Sequence, residues 1–160
     1  VRILATDTSS KALATEIALE VFRLNGQLLA MGDRLVAPLG LTSARWQVLG
    51  AIALAAQPGP IAHVARAMGL TRQNVRRIVG DLVRDGLLEL APNPNHRRAP
   101  LVLLTGGGRA AYASASALWV PRAIALAGDA DPAALATTLA TLRALRDRLG
   151  PPVEEEADAP

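Results

Sequence analysis

The chain has 160 residues, half of them apolar, with 17 Lys and Arg against 14 Asp and Glu and a net charge of +3. That length suits one compact domain or two small lobes, and no apolar run is long enough to predict a membrane span. Cysteine is absent, which excludes a thiol redox switch and a Cys-ligated metal.

The N-terminus lacks the basic region, apolar core and small-residue cleavage site of a signal peptide, so a cytoplasmic protein is expected. Val1 stands where an initiator Met would, which predicts that residues precede it. Leu13, Ile17, Val21, Leu24, Leu28, Met31 and Leu35 then recur every three or four residues, the pattern of one long amphipathic helix. A second helix opens with LTSARWQVL, Leu41 to Leu49.

From Ile61 the pattern becomes more specific. IAHVARAMGLTRQNVRRIVGDLVRDGLLEL predicts a short helix, a tight turn, a longer arginine-bearing helix and a strand. Ala65 is small where two helices must cross, and Gly69 accepts the positive φ of a helix-turn-helix corner. Thr71 is the expected N-cap of the second helix and Gly86 its stop. Val75, Ile78, Val79, Leu82 and Val83 form its apolar stripe. Gln73, Arg77, Gly80 and Arg84 project from the other side, with Asn74 and Arg76 on its flanks. Gln pairs bidentately with adenine and Arg with guanine, while Thr and Asn bind base edges or phosphates. Any arginine-bearing helix taken alone is equally well a solvated face; the helix and turn before it favour base recognition.

Two short strands follow, Leu87–Leu90 and Pro100–Leu104, around the loop APNPNHRRA. His96, Arg97 and Arg98 form its basic tip, suited to a phosphate or a narrow minor groove. Gly106, Gly107 and Gly108 come next and predict a plain loop or a hinge; they lack the Lys-Ser/Thr of a phosphate loop. An Ala-rich helix is expected from about Arg109 to Ala127, kinked at Pro121. Asp131 and Pro132 open a last helix whose seam is Leu135, Leu139, Leu142, Leu145 and Leu149. The tail PPVEEEADAP is acidic and proline-rich, the composition of a disordered segment.

The charge is unevenly spread. Thr42 to Arg109 holds nine arginines and three acids, a net +6, while the remainder is net −3. Positive charge therefore collects on the helix-turn-helix segment, as phosphate binding by counterion release requires. An arginine-rich, lysine-poor composition follows from a GC-rich genome; the asymmetry does not.

The run from Leu41 to Thr105 resembles the MarR family of bacterial winged-helix regulators. The resemblance rests on LTSARWQVL, on MGLTRQNVRRIVGDLVRDGLL (Met68 to Leu88) and on HRRAPLVLLT (His96 to Thr105). Arg98 and Leu104–Thr105 match the family's wing-tip arginine and following LT dipeptide. His96 stands where the family usually has Asp, and Pro100 where lysine is common. The resemblance implies a mainly α-helical chain with a small β-hairpin wing, its winged helix-turn-helix flanked by N- and C-terminal dimerisation helices. It also implies a homodimer on a near-palindromic operator and release by a small, often aromatic, ligand.

The resulting division is residues 1–40 as an N-terminal dimerisation helix, 41–106 as the DNA-binding lobe, 107–150 as C-terminal dimerisation helices and 151–160 as the tail. Each flanking helix could equally pack on its own chain. The DNA-binding set is Thr71, Arg72, Gln73, Asn74, Arg76, Arg77, His96, Arg97 and Arg98. Phe22, Met31, Trp46 and Tyr112 either line an effector cleft or belong to a core stripe. His63 is expected to be exposed, with a phosphate contact open to it. No cofactor, metal or membrane partner is expected, and no catalytic arrangement is present in the sequence. The functional expectation is a sequence-specific regulator, a repressor released by ligand. The alternative is a winged helix for protein contact or nonspecific DNA architecture.

Overall fold

The computed structural model describes residues 9–150, so the acidic tail lies outside the described residues. Contacts divide the chain into two units, one ending at Ser43 and one starting at Ala44.

The first unit is built on α1 (Ser10–Val36), 27 residues long. Ser9 caps it by accepting from the Ala12 N–H at 3.3 Å. A single 3-10 turn at Ala37–Leu39 follows, ended by Gly40 in the left-handed region at φ 68°. Asp33 accepts from the Ser43 N–H at 2.7 Å and closes this corner. Gly32 makes the approach possible, because a Cβ there would lie 2.5 Å from the Ser43 Oγ. The predicted stripe along α1 is present but only partly covered: Ile17, Leu28, Met31 and Leu35 are half-buried, and Ala12, Gly32 and Val36 are the buried residues of the helix. Leu13, Val21 and Leu24 are all exposed.

In the second unit, α2 (Ser43–Ala53) leads to β1 (Gly59–Pro60), α3 (Ile61–Met68) and α4 (Arg72–Arg84). The wing strands β2 (Leu88–Ala91) and β3 (Leu101–Leu104) follow, then α5 (Gly106–Ala127) and α6 (Pro132–Leu149). The sheet is antiparallel in the order β1-β3-β2. Leu88 faces Leu104 and Ala91 faces Leu101 across the hairpin, while Gly59 and Pro60 pair with Val102 and Leu101. The third strand was not foreseen, because a Gly-Pro pair carries no strand signal. Its two-residue length at the sheet edge is what lets a proline take part.

The core joins Val48 and Leu49 of α2, Val64 and Ala65 of α3, the α4 stripe, Leu88 and Val102 of the wing and Ala115 of α5. Side chains such as Leu49 and Leu82 have no exposed surface, and each such burial contributes about 1.5–3 kcal/mol.

The triple glycine corrects the sequence reading. It is neither loop nor hinge: Gly106, Gly107 and Gly108 form the first turn of α5, capped by Thr105, whose side chain accepts from the Gly108 N–H at 3.0 Å. Close approach is the reason. A Cβ on Gly108 would sit 2.0 Å from the Leu87 carbonyl oxygen, so only glycine lets the helix start against that strand. Pro121 lies within α5, which runs on to Ala127. Both Pro121 and Ala117, whose carbonyl loses its helical donor to the proline, are exposed. Asp131 caps α6 as expected, accepting from the Ala133 N–H at 3.3 Å. None of the α6 residues is buried, and its seam leucines Leu135 and Leu139 are 45% and 48% exposed.

The first turn of α5 yields a paired prediction. Replacing Gly108 by Ala should lower stability by about 1–3 kcal/mol through overpacking against backbone. Replacing Gly106 by Ala, where nothing lies within 4 Å of the new Cβ, should be neutral or stabilising by up to about 1 kcal/mol. Denaturant melts of the two variants check this; equal stabilities would refute the close packing.

Candidate nucleic-acid interface

The helix-turn-helix is assembled from local signals. Ala65 of α3 is 2% exposed. Gly69 ends α3 in the left-handed region at φ 65°, and its N–H and that of Leu70 return to the Ala65 carbonyl. Three residues later α4 begins. Thr71 is extended and accepts from the Asn74 N–H at 3.3 Å, so its hydroxyl oxygen caps the helix as well as facing solvent.

The two sides of α4 are chemically distinct. Val75, Ile78, Val79 and Leu82 are buried, none more than 3% exposed. Arg72, Gln73, Asn74, Arg76, Arg77 and Gly80 are all exposed. The structure thus brings five polar or cationic side chains onto the solvent-facing side of the first two turns. Arg84, near the other end, pairs with Asp81 at 3.0 Å. Exposed polar and cationic side chains are therefore concentrated in the N-terminal half of α4.

The wing tip is ordered by a residue that the sequence reading passed over. The Asn93 side chain donates to the Ala99 carbonyl at 2.8 Å and accepts from the Asn95 N–H at 3.0 Å. The His96 N–H returns to the Asn93 carbonyl at 3.2 Å, and the Ala99 N–H to that of His96 at 3.0 Å. Asn93 therefore fastens the loop across its base and leaves His96, Arg97 and Arg98 exposed at the tip. The signal available in the sequence was an Asn two residues before another Asn, the spacing of an Asx turn.

The C-terminal end of α4 is held from two sides. Asp85, its C-cap residue, pairs with Arg45 of α2 across forty positions. Gly86 follows at φ 71°. Thr105 donates from its hydroxyl to the Gly86 carbonyl at 2.7 Å and from its N–H to the Leu87 carbonyl at 3.2 Å. Neither Arg45 nor Thr105 was singled out for this role from sequence, since its partner is forty or nineteen residues away.

His63 is exposed on α3, with its ring over Gly59 and beside a small apolar cavity lined by Ala51, Ile52, Val64, Ala67 and Val102. Among the effector candidates, Trp46 packs on Trp119 of α5 with ring centroids 5.9 Å apart and planes at 59°. The ring of Tyr112 lies over Gly50, one α2 turn after Trp46. Both are half-buried on one α2–α5 face, and Trp119 is an aromatic member that the sequence reading left unplaced. Phe22 and Met31 belong to the N-terminal unit, where Phe22 is 73% exposed and Met31 half-buried. Among the described residues no group of three or more His, Cys, Asp or Glu is placed to hold a metal, and no helix is long and apolar enough to cross a membrane.

A family model described as MarR family matches residues 39–99, from the 3-10 turn to the wing tip. An uncharacterized protein of Mycobacterium tuberculosis is 41% identical over 124 residues, covering 78% of this chain and 85% of its own. The structure of Sco5413, a MarR family transcriptional regulator of Streptomyces coelicolor, is similar with a TM-score of 0.69 and 27% identity over 89% of this chain and 97% of that one. The transcriptional regulator MosR of M. tuberculosis, solved in complex with DNA, is similar with a TM-score of 0.69 and 25% identity over 83% and 97% of the two chains. Family match, similarity over most of the chain and the polar face of α4 agree, and the chain belongs to the MarR family of DNA-binding transcriptional regulators.

Proposed function

We propose that the protein acts as a homodimer on a near-palindromic operator, reading base edges with the N-terminal half of α4 and gripping the flanking minor groove with the wing. The observation that carries this reading is the division of α4 into a fully buried apolar stripe and an exposed polar face. In the assignment, Gln73, Arg76 and Arg77 read bases in the major groove. Arg72, Asn74 and Thr71 fix the register, and His96, Arg97 and Arg98 meet phosphates or the minor groove. Two copies of α4 must sit about 34–36 Å apart to enter successive major grooves. The uncovered leucines of α1 and α6 supply apolar surface for joining two chains at that spacing.

Release by a small aromatic ligand is the regulation that the family resemblance implies. Trp46 and Tyr112 are the candidates for ligand contact in the second unit, and Phe22 and Met31 in the first. Such a ligand shifts the equilibrium only by its differential affinity for the conformer that no longer fits the operator. The sign of regulation proposed is repression, in the cytoplasm and without catalysis.

The direct test is binding to the DNA flanking the protein's own coding region, at two salt concentrations and with excess random competitor. A competitor-resistant footprint with two-fold symmetry is the expected result; equal affinity for random DNA would reduce the reading to nonspecific binding. On the footprinted site, Arg77→Ala should cost about 1–3 kcal/mol and relax sequence preference, whereas Arg98→Ala should weaken all sequences alike and flatten the salt dependence by about one charge. Leu139→Asp, which places a carboxylate in the α6 seam, should shift the protein from dimer to monomer in sedimentation; an unchanged dimer would remove α6 from the interface.

A further inference from the structure

We propose that Arg45 and Thr105 are specificity-positioning residues: together they fix the C-terminal turn of α4, Asp85–Gly86–Leu87, and so set the angle at which the reading end of that helix meets DNA. The proposal rests on α4 being the recognition helix, as argued above.

The ties differ in kind from the packing along the rest of the helix. The stripe from Val75 to Leu82 fixes how deeply α4 sits, but apolar contact is non-directional and tolerates small tilts. Hydrogen bonds and paired charges specify direction. Such ties meet at the C-terminal turn of α4, whereas the cap of its N-terminal turn, Thr71, belongs to the same segment.

At the far end, Asp85 is an unfavourable residue for a helix C-terminus, where the carbonyl dipoles already present negative charge. Arg45 offsets it from α2, with its side chain 21% exposed against 46% for Asp85. An exposed ion pair along one helix contributes little; this one joins two helices and is partly shielded. From the other side the Thr105 hydroxyl donates to the Gly86 carbonyl at 2.7 Å while accepting from the Gly108 N–H at 3.0 Å. The cap of α5 is therefore also a clamp on the end of α4, and Gly108 lets the two approach to backbone contact.

The geometry amplifies any slack. A helix of 13 residues is about 20 Å long, so a tilt of about 5° at the anchored end displaces the first turn by about 1.7 Å. That is more than a bidentate base contact tolerates. Because α2 and α5 both grip this turn, a change in either would be transmitted to the face carrying Gln73 and Arg77.

The test is a double-mutant cycle of Arg45→Gln and Asp85→Asn, with Thr105→Val and Thr105→Ser alongside. It is read as the ratio of affinities for the footprinted operator and a random duplex of the same length. Although the two changes alter charge in opposite senses, each should lower the ratio by about fivefold to tenfold, with the double variant no lower than either single. Thr105→Val should also lower the ratio, and Thr105→Ser, which keeps the hydroxyl, should restore it. Melting temperatures are measured in parallel; they should change little for the Arg45 and Asp85 variants and fall for Thr105→Val, which also removes the cap of α5. Simple electrostatics gives another pattern: Arg45→Gln weakens and Asp85→Asn strengthens binding to both DNAs, leaving the ratio unchanged, and that result overturns the proposal. A ratio that falls only in step with the melting temperature assigns the pair to stability and overturns it too. If the wild-type protein shows no operator preference, the recognition-helix reading fails first and this inference with it.

Discussion

Burial of Val75, Ile78, Val79 and Leu82 is the constraint on which the DNA-binding lobe depends. These four side chains are at most 3% exposed, and no other rotation of α4 hides them together. Fixing that rotation directs Gln73, Arg76 and Arg77 to solvent without any interaction of their own. Arg76 and Arg77 therefore need no neighbouring carboxylate to hold them outward, and Asp81 and Asp85, which pair with Arg84 and Arg45, lie toward the C-terminal end of α4. Packing supplies the orientation of these side chains.

Much of this was legible because it is local. Thr71 and Gly86 were placed as cap and stop from residue type alone, and the structure puts α4 between them. Gly69 was assigned a positive φ and adopts 65°. Each of these signals lies within a few residues of its effect. The triple glycine was misread for the opposite reason. Helix propensity argues against three glycines in a first turn, but the Leu87 carbonyl, contacted through tertiary packing, leaves no room for a side chain at Gly108. The Arg45–Asp85 pair and the Trp46–Trp119 contact join positions forty or more residues apart; nothing in either local sequence announces the partner.

The wing shows how a departure from a familiar pattern is absorbed. His96 replaces the acidic residue that the family usually carries at the tip, which removes a carboxylate beside Arg98. Order at the tip comes instead from Asn93, an uncharged residue that bonds to Ala99 and Asn95. An amide holds the loop without neutralising it. The tip thus keeps the full charge of Arg97 and Arg98, consistent with the concentration of positive charge between Thr42 and Arg109. A tip without a carboxylate suits the role proposed for it, phosphate and narrow-groove contact rather than discrimination between bases.

The helices outside the lobe present the reverse economy. Along α1 and α6, leucines recur at helical spacing and several stay exposed: Leu13 is 46% exposed, Leu24 41%, Leu135 45% and Leu139 48%, while Leu28, Leu35, Leu142 and Leu145 are half-buried. Scattered surface leucines are ordinary, but rows of them on long helices are apolar patches that water disfavours. Within α6 the Thr137, Thr138 and Thr141 hydroxyls turn back to carbonyls of the preceding turn, which further lowers the polarity offered to solvent. A helix with this surface gains stability by meeting another apolar surface. A lobe that presents one recognition helix gains affinity by acquiring a second copy at a fixed distance. One association would satisfy both demands, which is the physical reason for proposing that α1 and α6 join two chains and set the spacing of their recognition helices.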